Sequence, residues 1–203
     1  MMKRPAQIVT VFGSSRPRPD DSQYASARAL GAALAQQGWV VCSGGYAGVM
    51  EAVSRGAKEA GGRTLGVTHK TSSSRANRWI DEEIRVDTWR ERLFELIARG
   101  HGYVACPGGT GTLAELAIVW EMLNKRLMRP KPMIVLGSFW QPLIECVRRI
   151  ETGHDSPRGK RNGEMIHAAE TPAEAIDFLL ESFGAAKTAP EPKRTRRRKN
   201  SPC

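Results

Sequence analysis

Short, continuously apolar runs rich in β-branched residues recur along this chain, each followed by a stretch with helical spacing. They read Ile8-Val9-Thr10-Val11-Phe12, Trp39-Val40-Val41-Cys42 and Thr64-Leu65-Gly66-Val67 in the first third. Further on come a short run near Ile84-Arg85-Val86, then Tyr103-Val104-Ala105-Cys106, Met133-Ile134-Val135-Leu136 and a weak run at Met165-Ile166-His167. Strands without apolar–polar alternation are covered on both faces, as in a parallel sheet. Strands that alternate with helices of about 10–15 residues form right-handed βαβ units. The expected fold class is therefore α/β, a doubly wound Rossmann-like parallel sheet in three layers, built as a single domain.

The segments between the strands carry helix punctuation. An alanine-rich helix is expected over about Gln23 to Gln37, apolar at Ala27, Leu30 and Leu34, with Gly38 as its stop. Others are expected over about Ala47 to Ala60, Thr88 to Arg99, Thr112 to Leu127 and Trp140 to Glu151. A last helix opens on Thr171-Pro172, with Thr as N-cap and Pro at the first helical position, and should end near Phe183-Gly184. The polar stretch Thr68 to Asn77 reads as a loop. The expected division is a nucleotide-binding domain over 1–184 and a basic, disordered tail over 185–203.

Composition excludes several classes. With 203 residues, 40% of them hydrophobic, the chain suffices for one core and is short for two. No apolar run reaches the roughly 18 residues of a membrane span, and Met1-Met2-Lys3-Arg4-Pro5 leads into a strand rather than a signal peptide. A cytoplasmic location is the expectation. Cys42, Cys106, Cys146 and Cys203 form no C-x-x-C pair, so neither a disulfide nor a zinc site is expected. His69, His101, His154 and His167 are scattered, and neither a metal nor another cofactor is expected. The net charge of +10 is uneven, because residues 187–203 hold seven Lys or Arg and one Glu, a net +6. Such a tail attracts nucleic-acid phosphates in a salt-dependent way; a solvated, solubilising terminus is the simpler reading.

The segment with the most chemistry is Pro107-Gly108-Gly109-Thr110-Gly111-Thr112-Leu113-Ala114-Glu115, which closes a strand and opens a helix. Glycines let the backbone approach a ligand closely. Free N–H groups and the dipole at a helix start favour a phosphate, and Thr110 and Thr112 add hydroxyl donors. No Lys-Ser/Thr pair follows, so this is not a P-loop. A second glycine turn, Ser43-Gly44-Gly45-Tyr46-Ala47-Gly48, is placed the same way, and Gly44 and Gly45 are expected to join the phosphate site at the same sheet edge. From the first turn, Ser14 could add a hydroxyl and Arg16 a cation. Glu115 either complements its helix dipole or is a catalytic carboxylate facing the cleft, with Arg92 as its counterpart.

The run 107–115 matches P-G-G-x-G-T-x-x-E at every fixed position, and Gly44 to Met50 resembles G-G-x-x-G-L-M. In these motifs, over about residues 6–150, the chain resembles the LONELY GUY family, phosphoribohydrolases of nucleoside 5′-monophosphates long mislabelled as lysine decarboxylases. The family's M-x-x-R-K motif aligns with Trp89-Arg90-Glu91-Arg92-Leu93, so Arg92 is retained while Trp89 and Leu93 replace the Met and Lys. The resemblance implies cleavage of an AMP-like nucleotide to free base and ribose 5-phosphate, with Arg92 and Glu115 catalytic. It also implies a homodimer or larger homo-oligomer. The alternative is a non-catalytic nucleotide or cofactor carrier. A pyridoxal-phosphate decarboxylase would need a Schiff-base lysine, and nothing singles one out among Lys58, Lys70 and Lys125.

Overall fold

The computed structural model describes residues 6–71, 75–152 and 165–188. The strands are β1 (Ile8–Phe12), β2 (Val40–Ser43), β3 (Thr64–His69), β4 (Glu82–Val86), β5 (Gly102–Ala105), β6 (Met133–Leu136) and β7 (His167–Ala169). They form one sheet in the order β4-β3-β2-β1-β5-β6-β7, and every neighbouring pair is parallel. The helices are α1 (Ser22–Gln36), α2 (Val49–Glu59), α3 (Trp89–Arg99), α4 (Thr110–Asn124), α5 (Gln141–Thr152) and α6 (Pro172–Thr188). The doubly wound α/β expectation holds.

The apolar strand runs feed two cores, one per sheet face. Val9, Val11, Val41 and Val104 pack with α1, α2 and α6 through Leu30, Leu34, Val53 and Leu179. On the other face Phe12, Cys42, Ala105 and Val135 pack with α3, α4 and α5 through Leu96, Leu116, Trp120 and Ile144. Helices α1 and α2 meet almost backbone to backbone, because a Cβ at Gly31 would run into the Val53 carbonyl and one at Gly56 into the Arg28 carbonyl. That contact brings the start of α2 up to the loop after β1. Strand order reverses between β1 and β5, and in open parallel sheets such a switch point opens a crevice at the carboxyl ends of the strands.

Several boundaries differ from the expected ones for identifiable reasons. Helix α4 starts at Thr110 and ends at Asn124, not at Thr112 and Leu127. Its end is a Schellman turn in which Arg126, at φ 56°, takes the left-handed position, with Leu127 N–H donating to the Met122 carbonyl (2.8 Å). Without a glycine there, the stop leaves no mark in the sequence. Helix α2 starts at Val49, after the loop has turned through Gly45 and Gly48, both at positive φ. Strand β7 lies two residues beyond the expected run, with Ile166 as a buried lead-in. Helix α6 continues past Gly184 to Thr188. The basic segment beyond it, His154 and Cys203 lie outside the described residues.

Candidate active site

A cavity of about 870 Å³ lies at the switch point, between the loops that follow β1, β5 and β6 and the start of α3. Ser14 stitches its walls together. Its N–H donates to the Pro107 carbonyl (3.3 Å), and its own carbonyl accepts from Val49 N–H (2.8 Å) at the start of α2. Its hydroxyl accepts from Arg16 N–H (3.1 Å). From α1, the Gln23 amide donates to the Pro107 carbonyl as well (2.8 Å).

Helix α4 presents an open N-terminus to this space. Its N-cap is Gly109, which offers no side chain, and Leu113 N–H is the first to find a helical acceptor, Gly109 O at 2.9 Å. The N–H groups of Thr110, Gly111 and Thr112 have no protein acceptor among the described residues. A Cβ at Gly109 or Gly111 would meet no protein atom, so packing does not demand glycine at either position. Both border the cavity. Gly108 differs, since a Cβ there would strike the Thr112 hydroxyl. Thr112 is buried and Thr110 exposed. Donors aimed at open space with the positive end of a helix dipole behind them bind an anion well.

Glu115 follows on the same side of α4, three and four residues after Thr112 and Gly111, and faces the cavity. Burial pushes its carboxyl up to about 7, and the nearby positive charge of Arg92 opposes the rise. No hydrogen bond to another described residue holds it.

Arg92 is 8% exposed and reaches the cavity from α3. A capping box fixes the helix start: the Thr88 hydroxyl accepts from Glu91 N–H (3.1 Å), and the Glu91 carboxylate accepts from Thr88 N–H (3.4 Å). The Arg92 Nε donates to the Val67 carbonyl (2.8 Å) and Nη2 to the Gly44 carbonyl (3.0 Å), and the guanidinium lies 5.2 Å from the Tyr46 ring centroid. Burial pulls the guanidinium below its ordinary pKa, while Glu115 is the first of the groups opposing that shift. Two carbonyl dipoles and an aromatic face thus hold the cation, and Glu115 is the carboxylate that senses it.

Ser14, Gly108 to Thr112, Arg92 and Glu115 all line the cavity. Gly44 and Gly45 do not; they are buried beneath it. Gly44 is glycine because a Cβ would collide with the Arg92 guanidinium. The Gly45 carbonyl accepts from Asn77 Nδ2 (3.1 Å), which also donates to the Tyr46 carbonyl (2.9 Å). The second glycine turn therefore seats Arg92, and the first amide of α2 is taken by Ser14. Of the second turn and its helix, Tyr46 and Met50 are the residues that reach the cavity.

Asn77, Gln23, Met50 and Phe139 escaped the sequence reading. Phe139 had a signal in its position just past a strand of the switch-point region. Cys42 and Cys106 are fully buried with thiols pushed up to about 12 by burial, which makes them packing residues rather than nucleophiles. Among the described residues no three His, Cys, Asp or Glu side chains gather as a metal site, and no helix is long and apolar enough to cross a membrane.

Over 97 residues the chain is 41% identical to a cytokinin riboside 5′-monophosphate phosphoribohydrolase of Mycobacterium marinum, covering 46% of this chain and 52% of that protein. It thus spans about half the length of this relative. A protein of Archaeoglobus fulgidus described only as uncharacterized is 31% identical over 163 residues, covering 80% of this chain and 89% of its own. Among solved structures, the molybdenum cofactor binding protein of Rippkaea orientalis aligns with a TM-score of 0.70 at 25% identity, over 88% of this chain and 98% of that one. The molybdenum cofactor carrier protein of Chlamydomonas reinhardtii, at 24% identity and a TM-score of 0.68 over 89% and 99% of the two chains, shares the fold. The phosphoribohydrolase relatives bear out the resemblance to the LONELY GUY family. Residues 6–176 match the family model described as SLOG cluster4, and the chain belongs to that family.

Proposed function

We propose that this chain hydrolyses the N-glycosidic bond of a nucleoside 5′-monophosphate such as AMP, releasing the base and ribose 5-phosphate. The observation that carries the reading is one helix start, α4, where open amides and a cavity-facing carboxylate stand within two turns of each other. The phosphate binds the amides of Thr110, Gly111 and Thr112 with the Thr110 hydroxyl, beside Ser14 and Arg16. The ribose then lies towards Glu115 and Arg92. Loss of the base builds positive charge on the sugar, as in glycoside hydrolysis. Ionised Glu115 stabilises that charge and takes a proton from the attacking water, and Arg92 keeps the carboxylate ionised more often than burial alone would.

A carrier function is the second reading. Leu93, which stands where the family motif has Lys, is 3% exposed and packed in the α3 core, so of the motif's two fixed cations only Arg92 is kept. The likeness to the Rippkaea cofactor-binding protein points the same way. Incubating the protein with AMP and measuring free adenine separates the two. Adenine and ribose 5-phosphate in equal amounts are expected; AMP retained tightly and intact would establish the carrier instead.

The same reading includes a homodimer. Helix α4 is apolar nearly all round, and Leu113 on it and Leu127 just beyond it are exposed. Light scattering after gel filtration is expected to give twice the 22.3 kDa chain mass. A single-chain mass at micromolar protein would remove the dimer from the proposal.

A further inference from the structure

We infer that Trp89 and Phe139 recognise the base of the ligand by stacking alone, so that the cleft selects for ring area and not for the pattern of groups on the ring edge. This rests on reading the cleft as a nucleotide site. Both rings line the cavity, and Trp89 is 50% and Phe139 56% exposed, unusual for side chains of this size. Both are also set in place before any ligand arrives. Trp89 is the first residue of α3, directly after the Thr88 capping box. The Phe139 ring stands edge-on against Trp140, with centroids 4.8 Å apart at 90°. Trp140 is itself buried, and its indole N–H donates to the Cys106 carbonyl (3.0 Å).

Topology puts the two rings on either side of the phosphate site. Helix α3 covers the half of the sheet from β1 to β4, and Phe139 follows β6. The open start of α4, which follows β5, falls between them. A ligand with its phosphate on those amides and its sugar at Glu115 carries a flat ring within the same cavity. Two polar side chains of the lining are already engaged with the protein backbone. Gln23 donates its amide to the Pro107 carbonyl, and the Asp21 carboxylate accepts from Arg18 N–H (2.7 Å). Stacking tolerates any edge pattern, since every base has a π face, and it favours the larger ring system.

The test is calorimetric titration of the full chain with carbocyclic analogues of AMP, GMP and CMP, which cannot be hydrolysed, and with ribose 5-phosphate, which has no base. The two purine analogues are expected to bind within about threefold of each other and at least tenfold tighter than the CMP analogue or ribose 5-phosphate. Trp89→Ala and Phe139→Ala should each weaken purine binding about tenfold while leaving ribose 5-phosphate within twofold, and Phe139→Tyr should restore it. Both residues are too exposed for their truncation to threaten folding. A tenfold preference between the AMP and GMP analogues would overturn the inference, as would equal loss of ribose 5-phosphate and purine binding in the variants. If no analogue and no ribose 5-phosphate binds, the nucleotide reading itself fails.

Discussion

Glu115→Gln is expected to lower the rate of AMP hydrolysis by about 10²–10⁴-fold, the range over which a positioned acid–base group contributes, while AMP affinity changes only a fewfold. Glutamine keeps the shape of the side chain but can neither take a proton nor balance charge on the sugar. The wild-type kcat/KM should rise with pH through about 7, because the ionised carboxylate is the working form and burial holds its pKa there. A flat profile between pH 6 and 8, or full activity in the glutamine variant, would remove Glu115 from the chemistry.

The same substitution should make the protein more stable. An unfolded Glu titrates near 4.3, whereas folded Glu115 titrates at about 7. Between those values the native state holds a proton that the unfolded chain has released, so stability falls as pH rises through that window and stays low above it. Glutamine carries no such cost. Urea unfolding at pH 8 should show the variant more stable by on the order of 2 kcal/mol, a figure discounted because the cleft admits water, and the gap should vanish near pH 4. Gain of stability with loss of turnover is the signature of a carboxylate held in place for function.

Arg92→Leu is expected to do the reverse, harming stability and activity together. It leaves the Val67 and Gly44 carbonyls without their donor in a buried setting, at about 1–3 kcal/mol for each. It also removes the charge that restrains Glu115, so the residual activity should need a higher pH than the wild type by about one unit. Arg92→Lys, which keeps the charge but cannot reach both carbonyls and lie over Tyr46, should fold better than Arg92→Leu and keep the wild-type pH profile while losing at least tenfold in kcat/KM. Urea unfolding and a pH–rate series on both variants check this. A wild-type pH profile in Arg92→Leu would show that the two residues do not act on each other.

Much of this architecture was legible because local signals and tertiary packing agree. Val9, Val41, Val104 and Ile134 are buried, as continuous apolar strands require, and Gly38 ends α1 at φ 73°. The Pro107-to-Glu115 run could be read as a site because it needs only one strand, one turn and one helix. Other features depended on distant partners. Gly44 looked like a phosphate-binding glycine, and only the arrival of Arg92 from α3 shows that it makes room for a guanidinium. Asn77 sits in a polar loop without periodicity, and its contacts to the Gly45 and Tyr46 carbonyls span more than thirty residues. Arg126 ends α4 in a role normally filled by glycine, so no residue type announced it.

The hydrogen bond from Gln23 to the Pro107 carbonyl joins positions 84 apart, and β1 meets β5 across a comparable span. Nothing short of the central strand pairing assembles the crevice. A fragment ending after α3 would carry Arg92 and its carbonyl seat yet have no opposing wall, and one starting at β5 would carry the acid with no cation beside it. Long-range closure of this kind comes late and slowly in folding. A growing chain therefore carries no half-built cleft, and the crevice arrives in one step when its first and fifth strands come together.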